Sequence, residues 1–156
     1  MEAVKNKKAS FNYEILETFE AGLVLRGAEV KSVKGGHISL KEAYITLQYD
    51  AKKRPRPYLL KAYISPYKPA GNPDSYDPTR PRALLLKKGE ITKLIGKTVA
   101  AGLTLIPLKV YTKNSFVKLE FALASGKKKY DKRETIKKRE MERELRTLTK
   151  RNSRER

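Results

Sequence analysis

Phe116-Val117-Lys118-Leu119-Glu120-Phe121-Ala122-Leu123-Ala124 alternates Val117, Leu119, Phe121 and Leu123 with Lys118 and Glu120. That period of two marks a strand with one buried and one wet face. Just upstream, Thr104 to Tyr111 sets Ile106, Leu108 and Val110 on the inner face and Pro107 on the other. A proline there predicts an edge position or a bulge, because it cannot donate to a ladder. Lys113-Asn114-Ser115 joins the two runs as a hairpin connection.

Further out, the rest of the body also reads as strands. Tyr13 to Phe19 places Tyr13, Ile15 and Phe19 on one face, and Glu20-Ala21-Gly22 is expected to turn the chain into Leu23-Val24-Leu25. Gly27 to Lys34, with Ala28, Val30 and Val33, fits a short helix stopped by Gly35-Gly36. Ala43 to Tyr49 and Tyr58 to Ile64 are strands separated by a basic, proline-bearing loop from Lys52 to Pro57. Five prolines between Ser65 and Arg82 (66, 69, 73, 78 and 81) predict a loop. A second short helix follows at Lys88 to Gly96, with Ile91, Leu94 and Ile95 on one face and Gly96 ending it. Six or seven short strands with one or two brief helices predict a mainly β fold, a small closed antiparallel barrel. The oligonucleotide-binding type is the small barrel most used on nucleic acid.

Charge points the same way. Thirty-six Lys and Arg against seventeen Asp and Glu give +19 on 156 residues. An excess of that size repels itself in a compact protein and calls for a polyanionic partner. No apolar stretch approaches a bilayer span, and the first ten residues are polar and basic, so a membrane partner is not expected and a cytoplasmic location is. With no cysteine, disulfides and thiolate metal sites are excluded. His37 is the single histidine and follows Gly35-Gly36 in a turn, which leaves a nucleophile without a base. The sequence predicts neither an enzyme nor a cofactor.

The chain is expected to divide at Gly126, into a barrel suited to binding RNA over 1–125 and a basic tail over 126–156. The tail holds fourteen Lys and Arg against six Asp and Glu, so +8 of the charge lies there. Met141, Leu145 and Leu148, four then three apart, make a thin apolar stripe on a helix. So lean a helix is marginal alone. It is expected to be disordered when free and helical when docked. A basic tail can equally be a solvated end with nonspecific affinity. Among the aromatics, Tyr67, Tyr76 and Tyr130 are free to stack on unpaired bases, although Tyr67 can instead pack over the barrel mouth. Glu20 is the odd acidic residue: it can accept hydrogen bonds from a base or a 2′-hydroxyl, or pair with a Lys or Arg of its own chain.

Six segments in register carry a resemblance. They are Asn6-Lys7-Lys8-Ala9, Phe19 to Leu23, Gly27 to Ser32, Asp77-Pro78-Thr79-Arg80 with Arg82 and the Leu84 to Leu86 triplet, Leu103 to Lys109, and Gly126 to Arg133. Together they resemble the SsrA-binding protein family, or small protein B, of bacterial trans-translation, from about Asn6 to Arg146. The resemblance implies an oligonucleotide-binding-type barrel that binds the tRNA-like domain of transfer-messenger RNA. It implies delivery of that alanyl-charged RNA, with elongation factor Tu as an indirect partner, to ribosomes stalled on truncated messages. The tail would occupy the empty mRNA channel and the decoding centre, so that the nascent chain is tagged and the ribosome released.

By position, Asn6, Glu20, Leu85 and Lys118 match family residues implicated in RNA binding. Lys7, Lys8, Phe11, Ala21 and Gly22 join them as candidate contacts, as do Lys34, Arg80, Arg82 and Lys87. Asp131-Lys132-Arg133 matches the tail motif needed for accommodation. Gly126, Lys127, Lys128 and Tyr130 precede it, and Lys137, Lys138 and Arg139 follow. Three positions depart from the pattern. Phe11 stands where histidine is frequent, keeping a stacking face without the imidazole. Lys87 stands where His or Asn is frequent, and Ala83 replaces a Lys or Arg. The Lys52 to Pro57 loop is longer than usual. The rival readings are a general RNA chaperone and an enzyme acting on RNA.

Overall fold

In a computed structural model, residues 3–71, 75–98, 103–126 and 129–154 are described. The hairpin predicted from the alternating stretch is the spine of the molecule. Strand β8 (Leu103–Lys113) and strand β9 (Phe116–Gly126) pair antiparallel along their length. Asn114 and Ser115 turn at φ 50 and 68°, the left-handed pair that a two-residue hairpin requires. Val117, Leu119, Phe121 and Leu123 are all in the core, as the alternation predicts.

The other strands are β1 (Val4–Lys5), β2 (Tyr13–Leu23), β3 (Ile38–Ser39), β4 (Tyr44–Tyr49), β5 (Pro55–Leu60), β6 (Tyr63–Ile64) and β7 (Arg82–Leu85). Pairing runs β8-β4-β5-β7-β2-β9, and the β8–β9 ladder joins the ends. The sheet therefore closes into a small antiparallel barrel of six strands. Strand β1 adds to β8, while β3 and β6 form a separate pair. Helices α1 (Ala9–Asn12), α2 (Gly27–Lys34) and α3 (Lys88–Thr98) sit between strands, and α4 (Lys129–Arg154) follows the barrel.

Several local expectations change. Glu20-Ala21-Gly22 does not turn: all three lie in β2, opposite Glu120, Leu119 and Lys118. Ala21 is buried, and pairing with β9 holds the strand straight through the glycine. The face of Tyr13, Ile15 and Phe19 is broken by a bulge between Ile15 and Glu17, so Ile15 is exposed. A bulge between Pro107 and Lys109 accommodates Pro107 and reverses the facing of β8. Leu105 and Val110 enter the main core, while Ile106 joins Ala9, Ala122 and Ala124 under α1.

Pro55 to Pro57 are strand rather than loop, paired with Tyr49 to Leu47 of β4. The β5–β7 pairs involve Tyr58 and Leu59, so the prolines lie where a missing N–H breaks no ladder. Tyr58 to Ile64 is two strands, broken at Lys61, whose φ is 58°. Helix α3 runs through Gly96 to Thr98. In α2 the buried residues are Glu29, Ser32 and Val33, with Ala28 outside, and Gly36 takes the positive φ after it.

Candidate RNA interface

The barrel gathers the expected residues by cross-strand register. Leu85 of β7 lies opposite Gly22 of β2, Gly22 opposite Lys118 of β9, and Lys118 opposite Tyr111 of β8. All four lie on the outer face, because Leu84, Leu23 and Leu119 beside them turn into the core. Leu85 is 65% exposed. A Cβ at Gly22 would lie 3.3 Å from Leu85 Cβ, so glycine leaves this leucine its upright position. Ala21, by contrast, faces the core and touches nothing outside.

The next row carries Glu20, Glu120 and Lys109. Two carboxylates directly opposite repel, and their neighbours offset this. Tyr111 Oη donates to Glu20 Oε2, Lys113 Nζ lies 3.6 Å from Glu20 Oε1, and Lys109 Nζ lies 3.3 Å from Glu120. The Tyr111 hydrogen bond first, then Lys113 and Lys118, holds the Glu20 carboxyl below its ordinary value. Burial and the bond to Glu20 push the Tyr111 phenol well above its ordinary range. At neutral pH, Glu20 is thus a fixed acceptor with lone pairs left for a base amino group or a 2′-hydroxyl. The intramolecular and the RNA-facing readings of Glu20 are compatible.

Lys34, exposed at the end of α2, lines a shallow depression with Thr112, Asn114 and Ser115 at the hairpin turn. Lys87 is exposed too, its amide capped by Glu90 Oε2 at 3.1 Å. Tyr111, Lys109 and Lys113 are absent from the residues picked out in the sequence. The signal was available: a turn at 114–115 pairs Lys113 with Phe116 and therefore Tyr111 with Lys118.

A second group forms at the N-terminus. Asn6 is anchored to β8, its amide donating to Leu108 O at 2.7 Å and its Nδ2 to Pro107 O at 2.9 Å. Lys7 and Lys8 beside it are exposed. Phe11 lies under the Arg139 guanidinium, 5.9 Å from ring centroid to Cζ, and Arg139 also donates to Ser10 Oγ at 3.1 Å. The stacking face retained at Phe11 is thus engaged by the C-terminal helix. Every residue of α4 from 136 to 153, Lys137 and Lys138 included, is exposed, and Arg139, Glu142, Arg143 and Arg146 line a shallow depression with Lys7. Lys132 is half-buried and Arg133 exposed. Gly126 is the exposed end of β9; Lys127 and Lys128 fall outside the described residues, as do the side chains of Tyr130 and Asp131.

Arg82 is a correction. It is fully buried, its Nε 2.8 Å from Glu29 Oε2, with further bonds to Ala62 O at 2.8 Å and Pro78 O at 3.0 Å. A guanidinium placed there holds the fold rather than a phosphate. Arg80 is partly exposed and binds the other Glu29 oxygen. Burial alone would raise the Glu29 carboxyl; hydrogen bonds from Arg80, the Arg26 amide and Arg82 outweigh it and leave the group below its ordinary value. Tyr76 is committed as well, donating to Ile64 O at 2.9 Å. Tyr67 lies under Lys31, 5.3 Å from the ring centroid.

These features define a class: an oligonucleotide-binding-type barrel with a cation-flanked outer face and a basic C-terminal helix. The family model described as SmpB protein matches residues 3–151. The SsrA-binding protein of Persephonella marina is 51% identical over 140 residues, covering 90% of this chain and 88% of its own. That of Enterococcus faecalis is 45% identical over 150 residues, covering 96% and 94%. A solved structure described as "tmRNA-SmpB: a journey to the center of the bacterial ribosome" holds a chain 40% identical, with a TM-score of 0.64 over 81% of this chain and 85% of that one. The chain belongs to the SmpB protein family.

Proposed function

We propose that this protein binds the tRNA-like domain of transfer-messenger RNA and delivers it to stalled ribosomes, where the nascent chain is tagged and the ribosome rescued. The observation that carries this reading is the outer-face row Leu85–Gly22–Lys118–Tyr111 with Glu20 in the row beside it. An exposed leucine and a fixed carboxylate acceptor between cations suit the shallow minor groove of folded RNA, where 2′-hydroxyls and base edges are displayed. Asn6, Lys7, Lys8, Lys34 and Lys87 supply further polar and cationic contacts. Relatives named for binding SsrA, and a neighbour described with the ribosome, support the partner.

The protein works by binding alone, in the cytoplasm, meeting elongation factor Tu and the alanyl-charged RNA as parts of the same complex. Residues 1–125 are the RNA-binding module. Residues 126–156 form a second module, disordered when free and helical in the empty mRNA channel and decoding centre. The exposure of α4 beyond Arg139 supports this division. Pulldown from a bacterial lysate followed by RNA sequencing tests the reading: one dominant species, transfer-messenger RNA, is expected. A spread of tRNA and ribosomal fragments would overturn it in favour of a general chaperone.

A further inference from the structure

We propose that the β4–β5 hairpin is a second element of the RNA contact, a sequence-independent clamp on the phosphate backbone; this rests on the RNA-binding reading above. Lys52, Lys53, Arg54 and Arg56 are all exposed there, against the lone carboxylate of Asp50. Asp50 is consumed in building the turn. Its Oδ1 accepts the amides of Lys52 and Arg54, each at 2.9 Å, and its Oδ2 lies 3.0 Å from Arg54 Nε and 3.4 Å from Arg56 Nε. These bonds, the Arg54 amide foremost, hold the Asp50 carboxyl below its ordinary value. Lys53 sits at φ 58°, its amide donating to Asp50 O at 2.9 Å.

The tip is therefore stiff. Pro55 and Pro57 flank Arg56 and fix φ on both sides, so little backbone freedom is left to lose on binding. Lys52 and Lys53 have no anionic partner among the described residues, and their mutual repulsion does nothing for the fold. Tyr49, 65% exposed and paired with Pro55, adds a stacking face at the base of the tip.

Register puts this hairpin in line with the candidate interface. Strand β5 pairs with β7 at Tyr58–Ala83, and continuing that antiparallel register by two residues sets Arg56 level with Leu85. Both point outward, since Pro57 and Leu84 beside them are buried. One row thus runs from Arg56 through Leu85 and Gly22 to Lys118. Leu85 to Lys118 is two inter-strand steps of about 4.8 Å, or roughly 10 Å, and Arg56 lies beyond Leu85, past the last β5–β7 pair. Cations at both ends of an apolar and glycine centre fit a duplex backbone crossing the sheet. Contacts to phosphate position the RNA without reading its sequence.

The variant Lys52→Gln/Lys53→Asn/Arg56→Gln tests it, because it keeps the Asp50–Arg54 turn and puts a left-handed-tolerant residue at 53. Its melting curve should overlay the wild type. Binding to the isolated tRNA-like domain is then measured from low to moderate salt. Removing one cation–phosphate pair lowers the slope of log K against log salt by roughly 0.7–0.9, so a fall of about 2 to 3 is expected for three cations. The preference over an unrelated RNA duplex should stay unchanged. A photo-crosslinker at position 53 should couple to the RNA. An unchanged slope overturns the proposal, and so does a variant weakened only toward ribosomes, which would point to an acidic protein surface. A wild type with no preference for transfer-messenger RNA would sink the functional reading instead, while a slope change on either RNA would still support the clamp.

Discussion

The barrel and helix α4 carry charge of the same sign but hold their shape by opposite means. Phe121, Leu119 and Val110 are fully buried in a closed ring of strands, so the outer face is fixed before any partner arrives. In α4, Met141, Leu145 and Leu148 are 64, 62 and 55% exposed. A helix of good formers without a packed face is marginal in water. The stripe and the cations around it are presented to solvent. Charge of one sign is thus carried on a packed body in the barrel and on an exposed helix in the tail.

The most severe challenge to this contrast is deletion of residues 126–156. Tagging on stalled ribosomes should disappear, while affinity for transfer-messenger RNA should change less than about tenfold if the tail neutralises few of its phosphates. Tagging that survives the deletion would merge the two modules. Next comes stability. Glu29→Ala leaves Arg82 buried without its counter-charge and should cost about 3–5 kcal/mol in denaturant unfolding. Leu145→Ala on the exposed stripe should leave the midpoint in place. Equal losses would show α4 to be part of the packed body.

A subtler comparison lies within the barrel. Glu20→Ala should weaken binding to the proposed RNA more than to a random duplex; equal losses would make Glu20 a purely structural partner of Tyr111 and Lys113. The smallest effect is on acid stability. The folded Glu29 carboxyl lies below the 4.5 of a free glutamate, so the unfolded chain takes up the proton first as pH falls. Its contribution is complete above pH 4.5 and is lost as pH drops through the lowered folded value. Between pH 4.5 and the acid limit the wild type should therefore lose more stability than Glu29→Ala. Parallel curves would remove Glu29 as the titrating group.

Much of the barrel was legible because alternation over 116–124 has only one reading. Of the features that escaped it, three have a physical reason outside the local sequence. The bulge at Leu16 changes which side chains face inward and carries no residue signal of its own, unlike the one at Leu108, which Pro107 predicts. Pro55 and Pro57 read as loop because only the sheet shows which edge of β5 is unpaired there. Arg82 read as an RNA contact because a guanidinium on a strongly basic chain is expected outside. Its burial depends on Glu29, fifty-three residues away in sequence.

Residue type and spacing were enough for the charge, the strand-rich body, a hairpin connection within Lys113-Asn114-Ser115, and the break in composition at Gly126. These are local properties, readable one segment at a time. Folding was needed to show that Leu85, Gly22, Lys118 and Tyr111 form one row and that Glu20 is held by Tyr111. Register between strands distant in sequence is a property of the closed ring, where a shift of one residue would turn every outward side chain in.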